Sequence, residues 1–176
     1  YSPAQAASGL FGINLTMLFT FWVWGAINPW LVKHKIHTNT LVLRGFPFSF
    51  VILAIIIIAS QTTSTPYTSQ FGIVFSALQQ HIWVLWALYF VACSFVALTQ
   101  PAIALVFPTE LAGRALSAFN LVMFLGVFVV QWSLGLLIDG FKYLGYTELQ
   151  AFQGAFLVYM LCGMAAYVYF AVKRPK

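Results

Sequence analysis

Ile82 to Phe107 runs for 26 residues without a charged side chain, long enough at 1.5 Å per residue to cross about 30 Å of hydrocarbon as a helix. Four more uncharged apolar stretches follow the same pattern: Gly9 to Val32, Gly45 to Ser60, Ala115 to Ile138 and Leu149 to Val172. Gly45 to Ser60 is the short one, only about 24 Å as a helix. It must borrow Leu41, Val42 and Leu43, with Arg44 snorkelling toward the headgroups. The run Ile52 to Ile58 is rich in β-branched residues, but only helices and closed barrels satisfy every backbone group in hydrocarbon. Hydrophobicity without a period of two excludes the barrel. The expected fold class is therefore all-α transmembrane, a single bundle of five membrane-spanning helices over residues 1–176.

Composition agrees. Of the residues, 62% are hydrophobic and 6% charged, and the mean hydropathy is +0.92; the charged share is about a quarter of that in a soluble domain. Disorder, a disulfide scaffold and a coiled coil are all excluded by the high hydrophobicity, the two Cys and the scarcity of Glu and Lys. The net charge of +5 does not form one soluble basic face, so no nucleic-acid partner is expected; the partner is the lipid bilayer.

The basic residues set the expected topology, because short loops rich in Lys and Arg stay cytoplasmic. Lys33, Lys35 and Arg44 lie between spans one and two, Arg114 between spans three and four, and Lys173, Arg174 and Lys176 after span five. Only Lys142 falls on the other side. The segment thus starts outside and ends in the cytoplasm, with the bacterial inner (plasma) membrane as the expected location. Tyr1 is not an initiator Met and no signal precedes the first span, so the expectation is a fragment whose preceding spans are missing, with a processed mature protein as the alternative. Thr62 to Ser69 reads as an external loop and Phe71 to Leu78 as a short interfacial helix. Pro47 is tolerated in a first turn, whereas Pro101 should kink the third span. Cys93 and Cys162, both within spans, are small hydrophobes and not a bridge.

Polar side chains in hydrocarbon are costly unless they face protein or water. Asn14, Thr16, Thr20 and Asn28 lie in the first span, Ser94, Thr99 and Gln100 in the third, and Ser117, Asn120, Gln131 and Ser133 in the fourth. The second span has little beyond Ser49, and the fifth no amide or charge between Gln153 and Lys173. Spans one, three and four are thus expected to line a cavity, and spans two and five to face lipid. Asn120 and Gln131, eleven apart, return to within about 20° of one helix face, with Phe124 and Val127 between them. That face is either solute-contacting or interhelical glue. In the third span Cys93, Ala97 and Gln100 share a face beside Pro101. The cavity candidates are Thr16, Thr20, Gln100, Asn120 and Gln131. No carboxylate lies deep in a span, so any proton-coupling residue is elsewhere.

Phe107, Pro108, Thr109, Glu110, Leu111, Ala112, Gly113, Arg114 and Ala115, followed by Asn120, form a sequence that resembles the cytoplasmic loop between helices ten and eleven of the major facilitator superfamily. In this motif Pro108, Glu110, Gly113 and Arg114 are the matching positions, and Glu110 and Arg114 have ion-pair spacing. The resemblance implies that the five spans are helices eight to twelve of a twelve-helix secondary transporter, the C-terminal bundle, with helices nine and twelve at the lipid. It also implies a missing N-terminal helical bundle as partner and a small-molecule solute. The loop between spans one and two departs from the family pattern, since its acidic residue is absent; its basic cluster is suited to anionic lipid. His34 and His37 lack a third ligand, so no metal is expected, and His81 reads as interfacial. No clustered nucleophile, acid–base set or phosphate loop is visible, so neither catalysis nor a cofactor is expected. The competing reading is a complete five-span accessory or channel-like subunit without catalysis.

Overall fold

The computed structural model describes residues 2–60 and 79–173. Among these the chain is all-helical, with five helical spans long and apolar enough to cross a membrane. They are α1 (Pro3–Lys33), α2 (Thr38–Ala59), a third span made of α3 (Ile82–Cys93), a 3₁₀ segment (Ser94–Leu98) and α4 (Thr99–Val106), then α5 (Thr109–Tyr143) and α6 (Glu148–Lys173). The loop expected at Thr62 to Ser69 and the interfacial helix at Phe71 to Leu78 lie outside the described residues.

The boundaries differ from the sequence expectations for local reasons. The second span, short on hydropathy alone, gains from Thr38 onward and reaches 22 residues, about 33 Å; Arg44 is inside the helix and exposed. The fourth span grows most, to 35 residues. Its first turns absorb the stretch expected as a loop: only Phe107 and Pro108 are non-helical there. Pro108 sits at the N-cap position with extended backbone, so Glu110, Gly113 and Arg114 are helical. Glu110 and Arg114 form no ion pair; Glu110 instead accepts a 3.2 Å hydrogen bond from the Thr109 hydroxyl.

Helix ends are written in the sequence. Ser2 and Gln5 close a capping box at α1, and Thr147 and Gln150 do the same at α6, each side chain meeting the other's backbone amide. The α1 and α5 ends both close with paired turn bonds: Ile36 N–H to Leu31 O with Lys35 N–H to Val32 O, and Tyr146 N–H to Phe141 O with Gly145 N–H to Lys142 O. The left-handed position is Gly145 in one and Lys35, at φ 55°, in the other.

The third span is the hub. α1 and α2 pack on α3 and the 3₁₀ segment, α5 packs on α4, and α6 bridges α5 and α2. Leu53, Ile56 and Ala59 of α2, Ala87, Phe95 and Leu98 of the third span, and Ala151 and Ala155 of α6 form the buried core. For helices long and apolar enough to cross a membrane, such burial would carry little hydrophobic gain in lipid and leave close approach of small residues and interhelical hydrogen bonds to hold the bundle. Gly45 shows the close approach best: a Cβ there would run into the Phe95 ring. Spans two and five, expected at the lipid for want of polar groups, turn one apolar face inward and the other out. Val51, Ile55 and Ile58 are the exposed counterparts of the buried α2 residues. By contrast α5 has no buried residue and α1 only Leu31.

Candidate functional site

Pro101 lacks an amide hydrogen and its ring crowds the carbonyl four residues back, at Ala97. The helix responds upstream: α3 gives way to the 3₁₀ turn over Ser94–Leu98 before resuming at Thr99. Side chains take up carbonyls around the break, Ser94 Oγ donating to Val91 O at 2.7 Å and Thr99 Oγ1 to Val96 O at 2.6 Å. Ser94 also accepts from Trp24 Nε1 at 2.7 Å, tying α1 to the break.

A 3₁₀ turn advances about 120° per residue against about 100° in an α-helix, so five such residues add about 100° of rotation. The face expected to hold Cys93, Ala97 and Gln100 together is therefore split. Cys93 lies beside Ser49 on α2 and Tyr89 on its own helix, whereas Gln100 is turned to α5. There its Nε2 donates to Asn120 Oδ1 at 3.3 Å. Two of the five cavity candidates thus meet, at the α4–α5 contact, with Gln100 exposed and Asn120 half-buried. The pair uses one hydrogen bond and leaves the Gln100 oxygen and the Asn120 amide hydrogens with capacity to spare.

The other three candidates are not brought to that pair. Thr16 Oγ1 donates to Gly12 O at 2.8 Å and Thr20 Oγ1 to Thr16 O at 2.7 Å, so both hydroxyl protons are committed to their own helix. Gln131 is exposed on α5 and has no side-chain partner among the described residues. Because α5 is unbroken, Asn120, Phe124, Val127 and Gln131 do share one stripe, which starts at the α4–α5 contact with half-buried Asn120 and is exposed at Phe124, Val127 and Gln131. Beside Pro101, a cavity of about 510 Å³ opens between α4, the end of α1 and the start of α2, with Asn28, Lys35, His37 and Asn39 at its polar side. His34 is not part of it; its Nδ1 lies 2.8 Å from Trp30 O. Among the described residues no group of three or more His, Cys, Asp or Glu could hold a metal ion.

Sequence reasoning missed the tyrosines. Tyr89 and Tyr159 hydroxyls lie 3.4 Å apart across α3 and α6, and Tyr167 Oη donates to Leu43 O at 2.8 Å. With Ser49 they make α2, α3 and α6 polar at their common seam, around a second cavity of about 320 Å³. The available signal was Tyr159 and Tyr167, eight apart on α6 and so on one face, counted as aromatics and not as hydroxyls. No family model, curated protein or solved structure matches the chain, so what these sites can do rests on their own geometry.

Proposed function

We propose that this chain is the C-terminal part of a secondary transporter of the major facilitator type, moving a small organic solute by alternating access. The observation that carries the reading is the Gln100–Asn120 amide pair on an outward face, beside a span whose helix is broken. Discontinuous helices with spare hydrogen-bonding groups are where transporters commonly build binding sites. Supporting it, Asn120 continues into the exposed stripe ending at Gln131, a surface of amides and aromatics suited to an uncharged organic solute. A second helical bundle of the same protein would cover α1 and α5 and complete the site. In this reading the basic end that holds Lys35 and Lys173 is cytoplasmic, the N-terminal end external, and the membrane the bacterial inner membrane. The chain binds no cofactor and performs no catalysis.

The test is uptake or efflux by the full-length protein against a solute panel, with and without a proton ionophore. Asn120→Ala and Gln131→Ala should each lower transport while membrane insertion is unchanged. Transport equal to wild type in both variants would remove these residues from the site and favour an accessory or channel-like subunit.

A further inference from the structure

We propose that the cavity between α2, α3 and α6 binds a neutral, ring-bearing lipophile with a carbonyl oxygen, taken up from the bilayer. The cavity is distinct from the Gln100–Asn120 pair and does not depend on the transport reading. Its volume of about 320 Å³ lies at the small end of ligand pockets, which start near 300 Å³. Phe46, Phe50, Tyr89, Tyr159, Tyr167 and Phe170 wall it, and no charged residue does. Ring pairs at this wall already meet edge to face, Phe46 with neighbouring Phe95 at 5.2 Å and Phe50 with Tyr167 at 5.9 Å, a geometry that aromatic pairs prefer and a ligand ring can extend.

An ordinary acyl-chain groove has no use for the hydroxyls that converge here. Ser49 is buried and donates to Phe46 O at 2.8 Å, Cys93 lies beside both Ser49 and Tyr89, and the Tyr89 hydroxyl stands 3.4 Å from that of Tyr159. That last contact is at the outer limit of a hydrogen bond. Tyr159 is thus weakly engaged and can turn its O–H to a ligand. A phenol is a better donor than acceptor, so the matching handle is a carbonyl oxygen. The absence of charge excludes an ion or a zwitterionic headgroup, which would be desolvated without compensation. Tyr167, held by its bond to Leu43 O, leaves its ring face as wall and contributes no second donor.

Benzophenone has two rings and one carbonyl and is photoreactive, so it serves as the probe. The intact protein in lipid nanodiscs is irradiated with it and the labelled residues are mapped by peptide mass spectrometry. Labels should concentrate on the walls of this cavity, and diphenylmethane, with the same rings and no carbonyl, should compete about three- to tenfold less well than unlabelled benzophenone in the dark. Tyr159→Phe keeps the ring and should lower labelling by the same factor. Gly163→Leu should abolish it, because even a Cβ at Gly163 already touches Phe50 Cε1 at 3.2 Å and a longer side chain fills the space. Equal labelling along the exposed faces of α1 and α5 would overturn the proposal. Equal competition by diphenylmethane, or an unchanged yield in Tyr159→Phe, would overturn it as well, and the latter variant decides the matter even where Gly163→Leu fails to fold.

Discussion

Gly45→Ala tests the way α2 seats on the third span. A methyl at Gly45 would sit 2.8 and 2.9 Å from Cδ1 and Cζ of Phe95 and closer still to Cε1. The ring has no easy escape: Phe95 is 4% exposed and Phe46 meets it edge-on at 5.2 Å. Relief has to come from separating α2 from the 3₁₀ segment, so the overpacking cost belongs at the upper end of the usual range, about 3 kcal/mol. Against it stands the gain of replacing a helical glycine by alanine, about 1 kcal/mol. The net expectation is destabilisation by about 2 kcal/mol.

The background variant separates the two contributions. With Phe95→Ala the obstacle is gone, and Gly45→Ala should then stabilise by about 1 kcal/mol. The coupling between the sites is the difference, about 3 kcal/mol. Steric-trap unfolding in bicelles, or reversible unfolding in mixed micelles followed by Trp fluorescence, reads all four proteins. An effect of Gly45→Ala that is the same in both backgrounds would refute the packing of α2 against Phe95.

Ser94→Ala leaves the half-buried Trp24 Nε1–H without its acceptor and should destabilise by about 1–3 kcal/mol in the same unfolding assay. Lys35→Gly removes a left-handed lysine and should stabilise by about 1 kcal/mol, with membrane insertion unchanged. Pro101→Ala restores a backbone donor and removes the ring clash, so the third span should straighten and Gln100 rotate away from α5. A Gln100→Cys, Asn120→Cys pair, in a background lacking Cys93 and Cys162, should then cross-link readily with Pro101 present and poorly with Pro101→Ala, and equal cross-linking would place the cause of the break elsewhere.

The five spans were legible because lipid removes the alternatives: an uncharged stretch of this length has no other way to satisfy its backbone. Ends were less so. Hydropathy stops at the last charged residue, whereas a helix continues while its caps permit, which is why Thr38 and Thr109 begin spans that the apolar run placed several residues later. Pro101 announced a kink and its ring clash explains why the backbone yields upstream, but its form, a 3₁₀ turn of five residues, is set by tertiary contacts that Phe95 and Leu98 make when buried. Asn120 and Gln131 kept their shared face because α5 is continuous. Cys93 and Gln100 lost theirs because the intervening turn is not an α-helix.

That rotation explains how one span serves two polar seams. An unbroken helix would present Tyr89, Cys93 and Gln100 in α-helical phase, and since α2 and α6 occupy one side of it and α5 another, it could place them toward only one neighbour. The added twist of about 100° lets α3 offer Tyr89 and Cys93 to the seam with α2 and α6, while α4 offers Gln100 to Asn120. The Trp24–Ser94 bond sits at the pivot and draws on α1 to hold it. The polar groups of this bundle are therefore sorted by the backbone break as much as by their positions in the sequence, and a count of polar residues per span, which ranked spans two and five as lipid-facing, registers the amides and overlooks the hydroxyl seam that those two spans share with α3.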